Sequence, residues 1–398
     1  MGKSFVIFAA NYLPNLGGVE RYTYNLAKSL IRQGSKVTVV TSNVFDLPAR
    51  EFDEGIDIYR TPCLNMLKGR YPVLCPSPEF FRLCGELRRE PFDVCVVNSR
   101  FYLHSLLGVI FGKRYCKQCL VVDHATGHFT VNSPIWDFAG HIWEHVLVFS
   151  MKRWCSDYYG VSHACNDWQR HFGIEAKGVL YNSVDMEDIG RILSDEADLR
   201  AEKLGIACRG DRFNIVYAGR LIREKGLLKL IAAFERMNTY TCKPELYIAG
   251  EGPLGESVRE LAATNKSIHY LGKLDFPDVI ALLGKADVYV LPSDYAEGFP
   301  TTVLEAAACR CFIIASKAGG SKELVTDRRY GIILEENTIE ELRDELERLI
   351  LDTSGFVKST VEATYRRCVE NFTWDITAAK FIAIADRSEK IGKGENGQ

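Results

Sequence analysis

The 398-residue chain contains no uninterrupted apolar run near the roughly 18 residues that a membrane span needs. It shows no cleavable leader pattern, since MGKSFVIFAAN opens directly on a strand-like run. It also lacks a strong charge of either sign: the formal net charge is −3, which argues against a nucleic-acid partner. The 13 cysteines form no paired framework, and together with the missing leader they read as reduced thiols in a cytoplasmic protein. One pair, Cys116 and Cys119 in CKQC, has metal-ligand spacing, but no second pair lies nearby to complete a zinc knuckle.

What is present is an ordinary globular composition, 47% hydrophobic and 25% charged, in a chain long enough for two domains. Short apolar, β-branched runs recur at 4–10, 36–42, 93–98, 119–124, 158–162, 213–219, 245–250, 268–272, 287–292 and 311–316, with helical patterns between them. Several are apolar on consecutive residues, as strands covered on both faces are. The alternation predicts doubly wound parallel sheets. The pattern restarts after a polar, strand-free stretch at 186–212, so two Rossmann-like domains are expected, 1–184 and 185–374. In such sheets ligands bind beyond the carboxyl ends of the strands.

Three loops at such ends can carry chemistry. Gly17 and Gly18, in NYLPNLGGVERYTYNL, stand where a turn enters a helix, so the backbone can approach an anionic ligand. Arg220 ends the run FNIVYAG, and Lys225 follows five residues later; a planar fork and a point charge together suit a diphosphate. The stretch DYAEGFPTTVLEAAAC sets Pro300 in a first helical turn. The amides of Gly298, Phe299, Thr301 and Thr302, with two hydroxyls and the helix dipole, then face whatever lies above. Glu305 is one turn, roughly 5 Å, further in, a suitable offset from a diphosphate to a ribose. Glu297 precedes the helix and can reach a sugar hydroxyl at the other end.

These stretches, with IAGEGP, IHYLGKL, AGGSKELV and YNSVD, resemble the retaining glycosyltransferases of family 4, which have the two-domain GT-B architecture. The resemblance runs in order over about residues 4–335. It implies transfer of a hexose or N-acetylhexosamine from a nucleotide diphosphate sugar to a glycan or lipid-linked acceptor. The C-terminal domain would hold the donor and the N-terminal domain the acceptor. It implies that Arg220 and Lys225 bind diphosphate, Glu305 ribose and Glu297 donor sugar, with His124 of DHATGHF also at the sugar and His128 the substitute candidate. A terminal helix near 375–390 would pack back on the first domain. The chain departs from the family at Arg310 and Phe312, where Gly and Pro are usual.

No cofactor and no metal are expected. Metal-dependent sugar transferases commonly use two aspartates separated by one residue, and no two aspartates here are so spaced. A peripheral membrane contact is expected at 101–118, where an apolar segment adjoins Lys113, Arg114 and Lys117. Three other readings exist. GEGPLG, with Gly250, Gly252, Gly255 and then Asp275, fits a dinucleotide fingerprint and an NAD-dependent oxidoreductase. HIWEH at 141–145 fits an inverted zinc-protease pattern, although its apolar flanks suit a helix facing the core or an acceptor. A nucleotide-sugar epimerase would share the GT-B fold.

Overall fold

The computed structural model describes residues 2–395, apart from 16, 132, 207–211, 239–242 and 296; the side chains of 68 and 388–395 are likewise left aside. The chain divides into two compact units. The first comprises 1–182 with 374–398, and the second 183–373. The expected division was 184/185, and the difference has a local cause. The amide of Val184 donates to the Phe372 carbonyl, so the stretch after Asn182 and the stretch before Trp374 are tied within the second unit.

The first unit is built on a seven-stranded sheet of order β3-β4-β2-β1-β7-β8-β9. Its strands are β1 (Ser4–Ala9), β2 (Lys36–Ser42), β3 (Arg50–Asp53), β4 (Ile56–Thr61), β7 (Phe92–Asn98), β8 (Cys116–Asp123) and β9 (Tyr158–Gly160). All pairings are parallel except β3 with β4. A separate hairpin joins β5 (Cys63–Met66) to β6 (Tyr71–Leu74). Phe5 and Ile7 point to one side of β1, Val6 and Phe8 to the other, and all are buried; this two-sided covering makes the run continuously apolar.

The terminal helix Trp374–Glu395 belongs to the first unit. Trp374, Ala378, Phe381 and Ala385, at helical spacing, pack with Tyr22, Leu26 and Leu30 of the helix Gly18–Arg32. Ser29 adds a 2.7 Å hydrogen bond to Asp375.

The second unit carries a six-stranded, wholly parallel sheet of order β12-β11-β10-β13-β14-β15. The strands are β10 (Arg212–Ala218), β11 (Lys243–Ala249), β12 (Ile268–Gly272), β13 (Val288–Leu291), β14 (Phe312–Ser316) and β15 (Ile332–Leu334). The polar stretch after 185 forms two helices, Met186–Asp195 and Ala197–Lys203.

Segment 101–118, the expected membrane contact, is instead the helix Leu103–Tyr115 running into β8. Ser105, Gly108, Val109, Phe111 and Gly112 are buried, Leu106 and Leu107 pack against the core, and Lys117 pairs with Asp93 at 2.7 Å. A row of exposed apolar side chains lies on the next helix, Pro134–Met151: Ile135, Trp136, Phe138, Ile142, Val146 and Phe149 are all about half or more exposed, while Glu144 is buried. No helix among the described residues is long and apolar enough to cross a membrane.

Candidate functional site

In the second unit the loops after β10, β11 and β13 meet at the carboxyl end of the sheet. Leu221 N donates to the Glu251 carbonyl and Leu254 N to that of Leu221, so the Arg220 loop is bound to the GEGP loop. Gly250 adopts φ +138°, and a Cβ there would stand 1.8 Å from the Gly219 carbonyl oxygen. Glycine at that position therefore serves close approach of two loops. Asp275, the acid of the dinucleotide reading, caps a helix by accepting from the Asp278 amide at 2.9 Å, so this fingerprint lacks its free carboxylate.

Arg220 is exposed and has no ion-pair partner among the described residues. Lys225 is buried, 8% exposed, and its ammonium forms an ion pair with Glu297. Two residues that the sequence reading assigns to the diphosphate and to the sugar of one ligand thus hold each other. Glu297 is fixed through its backbone as well. Its carbonyl accepts from Gly320 N at 3.2 Å, and Gly319, at φ +79°, leaves no room for a Cβ, which would lie 2.1 Å from that same oxygen. The neighbouring Asp294 carboxylate is held by Lys229 at 2.7 Å and Asn337 at 2.9 Å.

Beyond Glu297 the helix Thr301–Ala308 begins, with Pro300 as its N-cap residue. Phe299 is buried and packs edge-on to Phe372. The amides of Thr301 and Thr302 have no main-chain acceptor among the described residues, which leaves two donors at the positive end of the helix dipole. The Thr302 hydroxyl already has a partner, since Tyr289 Oη lies 2.7 Å from it and 3.2 Å from the Ala218 carbonyl. Tyr289 is a residue the sequence did not flag, since it reads as one more apolar strand position. Glu305 is 4% exposed, one turn inside the helix. The helix ends at Cys309, and Arg310 takes the left-handed conformation, φ 57°, where the family has glycine. Its guanidinium lies 3.6 Å from the Tyr365 ring centroid and reaches Glu362, contacts that offset the cost of that backbone conformation.

In the first unit Gly17 is the N-cap of the helix Gly18–Arg32. A Cβ on Gly17 would stand 2.2 Å from the Glu20 carboxylate, while Gly18 opens to free space. Glu20 is buried and raised above the ordinary carboxylate range by that burial. From this helix a chain of hydrogen bonds leads to His124. Thr23 donates to the Val19 carbonyl at 2.8 Å, Asn98 Nδ2 to Thr23 at 2.7 Å, and His124 Nε2 lies 3.4 Å from Asn98 Oδ1. An amide oxygen only accepts, so Nε2 bears the proton and Nδ1 remains an acceptor. Tyr22 stands edge-on to the ring at 4.7 Å. Burial pushes His124 down to about 3, so the ring is held as a neutral imidazole.

Beneath the same loop lies an ionic group of Arg100, Asp123 and Glu144 that no short motif announces, because its members are 21 or more residues apart. Arg100 and Asp123, both wholly buried, are bonded at 2.6 and 2.7 Å. Glu144 of HIWEH stands 3.9 Å from Arg100, accepts the Phe129 amide at 2.9 Å and lies 2.5 Å from His128 Nδ1. So engaged, it is not the free general base a peptidase needs.

Residues 16–188 match the family model described as Glycosyltransferase Family 4, and residues 202–371 the one described as Glycosyl transferases group 1. The chain is 25% identical over 396 residues to an uncharacterized glycosyltransferase of Methanocaldococcus jannaschii, covering 96% of this chain and 98% of that one. It is 23% identical over 371 residues to the phosphatidylinositol N-acetylglucosaminyltransferase GPI3 subunit of Saccharomyces cerevisiae, covering 89% and 78%. The crystal structure of a glycosyltransferase from Rickettsia africae shares the fold with a TM-score of 0.72 at 20% identity, over 98% of this chain and 99% of that one. With two family models spanning most of its length in order, on a fold shared with a solved glycosyltransferase, this chain is a GT-B glycosyltransferase of the family 4 kind.

Proposed function

We propose that this glycosyltransferase takes a hexose or N-acetylhexosamine from a nucleotide diphosphate sugar and passes it, with retention, to a lipid-linked or glycan acceptor. The observation that carries the donor reading is the convergence in the second unit of Arg220, Lys225 and the free amides of Thr301 and Thr302, with Glu297 and the buried Glu305 at either side. Cations and a helix N-terminus stabilise the charge that grows on a departing diphosphate. Lys225 and Lys229 already neutralise Glu297 and Asp294, so this reading gives catalysis no divalent metal. The first unit receives the acceptor, and His124, assigned to the sugar by resemblance, serves as a neutral hydrogen-bonding group.

Two features favour a lipid-linked acceptor over a free glycan. A relative acts on a phosphatidylinositol by its printed name. The helix Pro134–Met151 presents an apolar row to solvent, followed by exposed Lys152 and Arg153, which suits a peripheral position on the cytoplasmic face of a membrane. Flotation with anionic liposomes is expected to carry the protein upward, and the double variant Trp136→Glu, Phe138→Glu to stay behind; equal flotation of both would remove the helix from the reading.

Thermal-shift measurements against a panel of nucleotide sugars test the donor site, since a ligand of the folded state stabilises in proportion to its affinity. The best donor is then titrated into Glu305→Ala by calorimetry. Loss of a charge-assisted pair worth about 1.5–3 kcal/mol predicts roughly 10- to 150-fold weaker binding. Unchanged affinity would remove Glu305 from the ribose. Analysis of the product separates transfer from epimerisation, which alters the sugar without moving it, and its anomeric form reports retention.

A further inference from the structure

Seven of the eight histidines lie in the first unit, and three of them converge without any short motif announcing it. His128 sits in the loop after β8, His145 on the helix Pro134–Met151 and His171 in the 3-10 turn Arg170–Phe172. One ring nitrogen from each lies within 4.8 Å of the other two. We propose that His128, His145 and His171 bind a divalent transition metal of the zinc class.

The set-up around each ring supports a ligand role. His128 Nδ1 faces the buried Glu144 carboxylate at 2.5 Å, while the other Glu144 oxygen accepts the Phe129 amide. That carboxylate receives the Nδ1 proton and leaves Nε2 with a lone pair. A carboxylate behind a histidine in this way fixes the tautomer, orients the ring and raises its basicity toward a metal. The other rings are held by aromatic neighbours. Trp168 stacks on His171 at 4.8 Å, Phe172 packs on His145 at 4.7 Å, and His141 stacks on His128 at 4.0 Å. Three imidazoles select zinc, cobalt, nickel or copper over magnesium and calcium, which prefer oxygen.

Nitrogens on a tetrahedral metal at 2.0–2.1 Å stand about 3.3 Å from one another. The set must therefore contract by about 1.5 Å, within the reach of His145 and His171, which are both exposed. The same exposure leaves the fourth position to water. The arrangement differs from the zinc-protease pattern, in which His141 and His145 would ligate and Glu144 would act as base. Here His141 is a stacking neighbour and Glu144 holds a ligand from behind. The metal would join the loop that begins at His124 to a helix and a turn, so its role is to fix that loop, with no part in the transfer chemistry.

The test is titration of chelator-treated full-length protein with zinc, and separately with cobalt, whose absorption reports its donors. The expected result is one equivalent bound, a nitrogen-oxygen cobalt spectrum, and at least tenfold weaker affinity in each of His145→Ala and His171→Ala. Both are surface changes, so folding is preserved. Glu144→Gln is expected to weaken binding about 10- to 100-fold. Three results would overturn the proposal: no stoichiometric binding, affinity unchanged in the double variant His145→Ala, His171→Ala, or a cobalt spectrum with sulfur charge-transfer bands, which would place the metal on cysteines.

Discussion

The two units are built on the same plan, parallel strands with helices between them, yet they are equipped with opposite chemistry. The second unit gathers permanent charges and main-chain donors: Arg220, Lys225, Glu297, Glu305 and the start of the helix Thr301–Ala308. The first gathers imidazoles: His104 and His124 are pushed down by burial, and His128, His145 and His171 lie together, His128 against the buried Glu144. Charge at strand ends suits a strongly anionic ligand. Neutral hydrogen-bonding groups suit hydroxyls, and imidazole clusters suit soft cations. Each unit should therefore respond to a different insult.

The largest separation is expected from paired substitutions. Arg220→Ala should lower kcat/KM by about 10²–10³, since it removes a donor aimed at developing charge, and should weaken binding of free nucleoside diphosphate too. His124→Ala should lower turnover while leaving that binding nearly unchanged. If the two variants show the same profile by calorimetry and steady-state kinetics, the division of labour is wrong. Full activity of His124→Ala would shift the role to another group of the loop or leave the loop structural.

Acid should break the comparison next. His104 is wholly buried against the Val40 carbonyl and pushed down to about 4 by desolvation; His124 is pushed down to about 3 by the same cause. Below about 6.5, the ordinary histidine value, the unfolded chain takes up protons that the folded unit refuses. The unfolded state then binds more protons, so stability falls as pH drops from about 6.5 toward 4. His104 alone contributes up to about 3 kcal/mol to this loss. All five tryptophans lie in the first unit, so their fluorescence follows that unit alone. Its transition should move down in this window ahead of the far-ultraviolet signal, which reports both units. Coincident shifts would show that the histidines do not set the acid response.

The smallest effect concerns Thr302. Its hydroxyl is engaged by Tyr289, so Thr302→Val should cost about 1 kcal/mol of stability and change nucleotide affinity less than threefold. A larger loss of affinity would mean that the hydroxyl turns to the ligand on binding.

The same contrast explains what could be read in advance. In the second unit one stretch, residues 294–305, supplies the loop, the proline and both glutamates, and only Arg220 and Lys225 come from elsewhere, the loop after β10. The first unit's groups are brought together only by folding. His128, His145 and His171 are separated by 17 and 26 residues, and Arg100 meets Asp123 and Glu144 across three elements. Strands buried on both faces were legible from their consecutive apolar residues. By contrast, β3 is wholly exposed and β15 is three residues long, so neither carries such a run. The helix Pro134–Met151 is mixed: Leu147, Val148 and Met151 form the core face that its apolar spacing suggests, but its other apolar side chains face solvent, and Glu144 is buried too, satisfied by an amide, a histidine and an arginine nearby.

The ion pair between Lys225 and Glu297 has a consequence for the order of events. On the proposed donor reading, a phosphate at Lys225 would compete with the Glu297 carboxylate for the ammonium. Each unit of attraction that Lys225 gives to phosphate is withdrawn from Glu297, which then has acceptor capacity free for a hydroxyl. By linkage the two halves of the proposed donor would then be read jointly: a sugar that engages Glu297 would strengthen phosphate binding at Lys225, and the reverse would hold by the same factor. A nucleoside diphosphate without its sugar would release Glu297 with no hydroxyl to accept, which predicts a preference for the intact donor over the spent one.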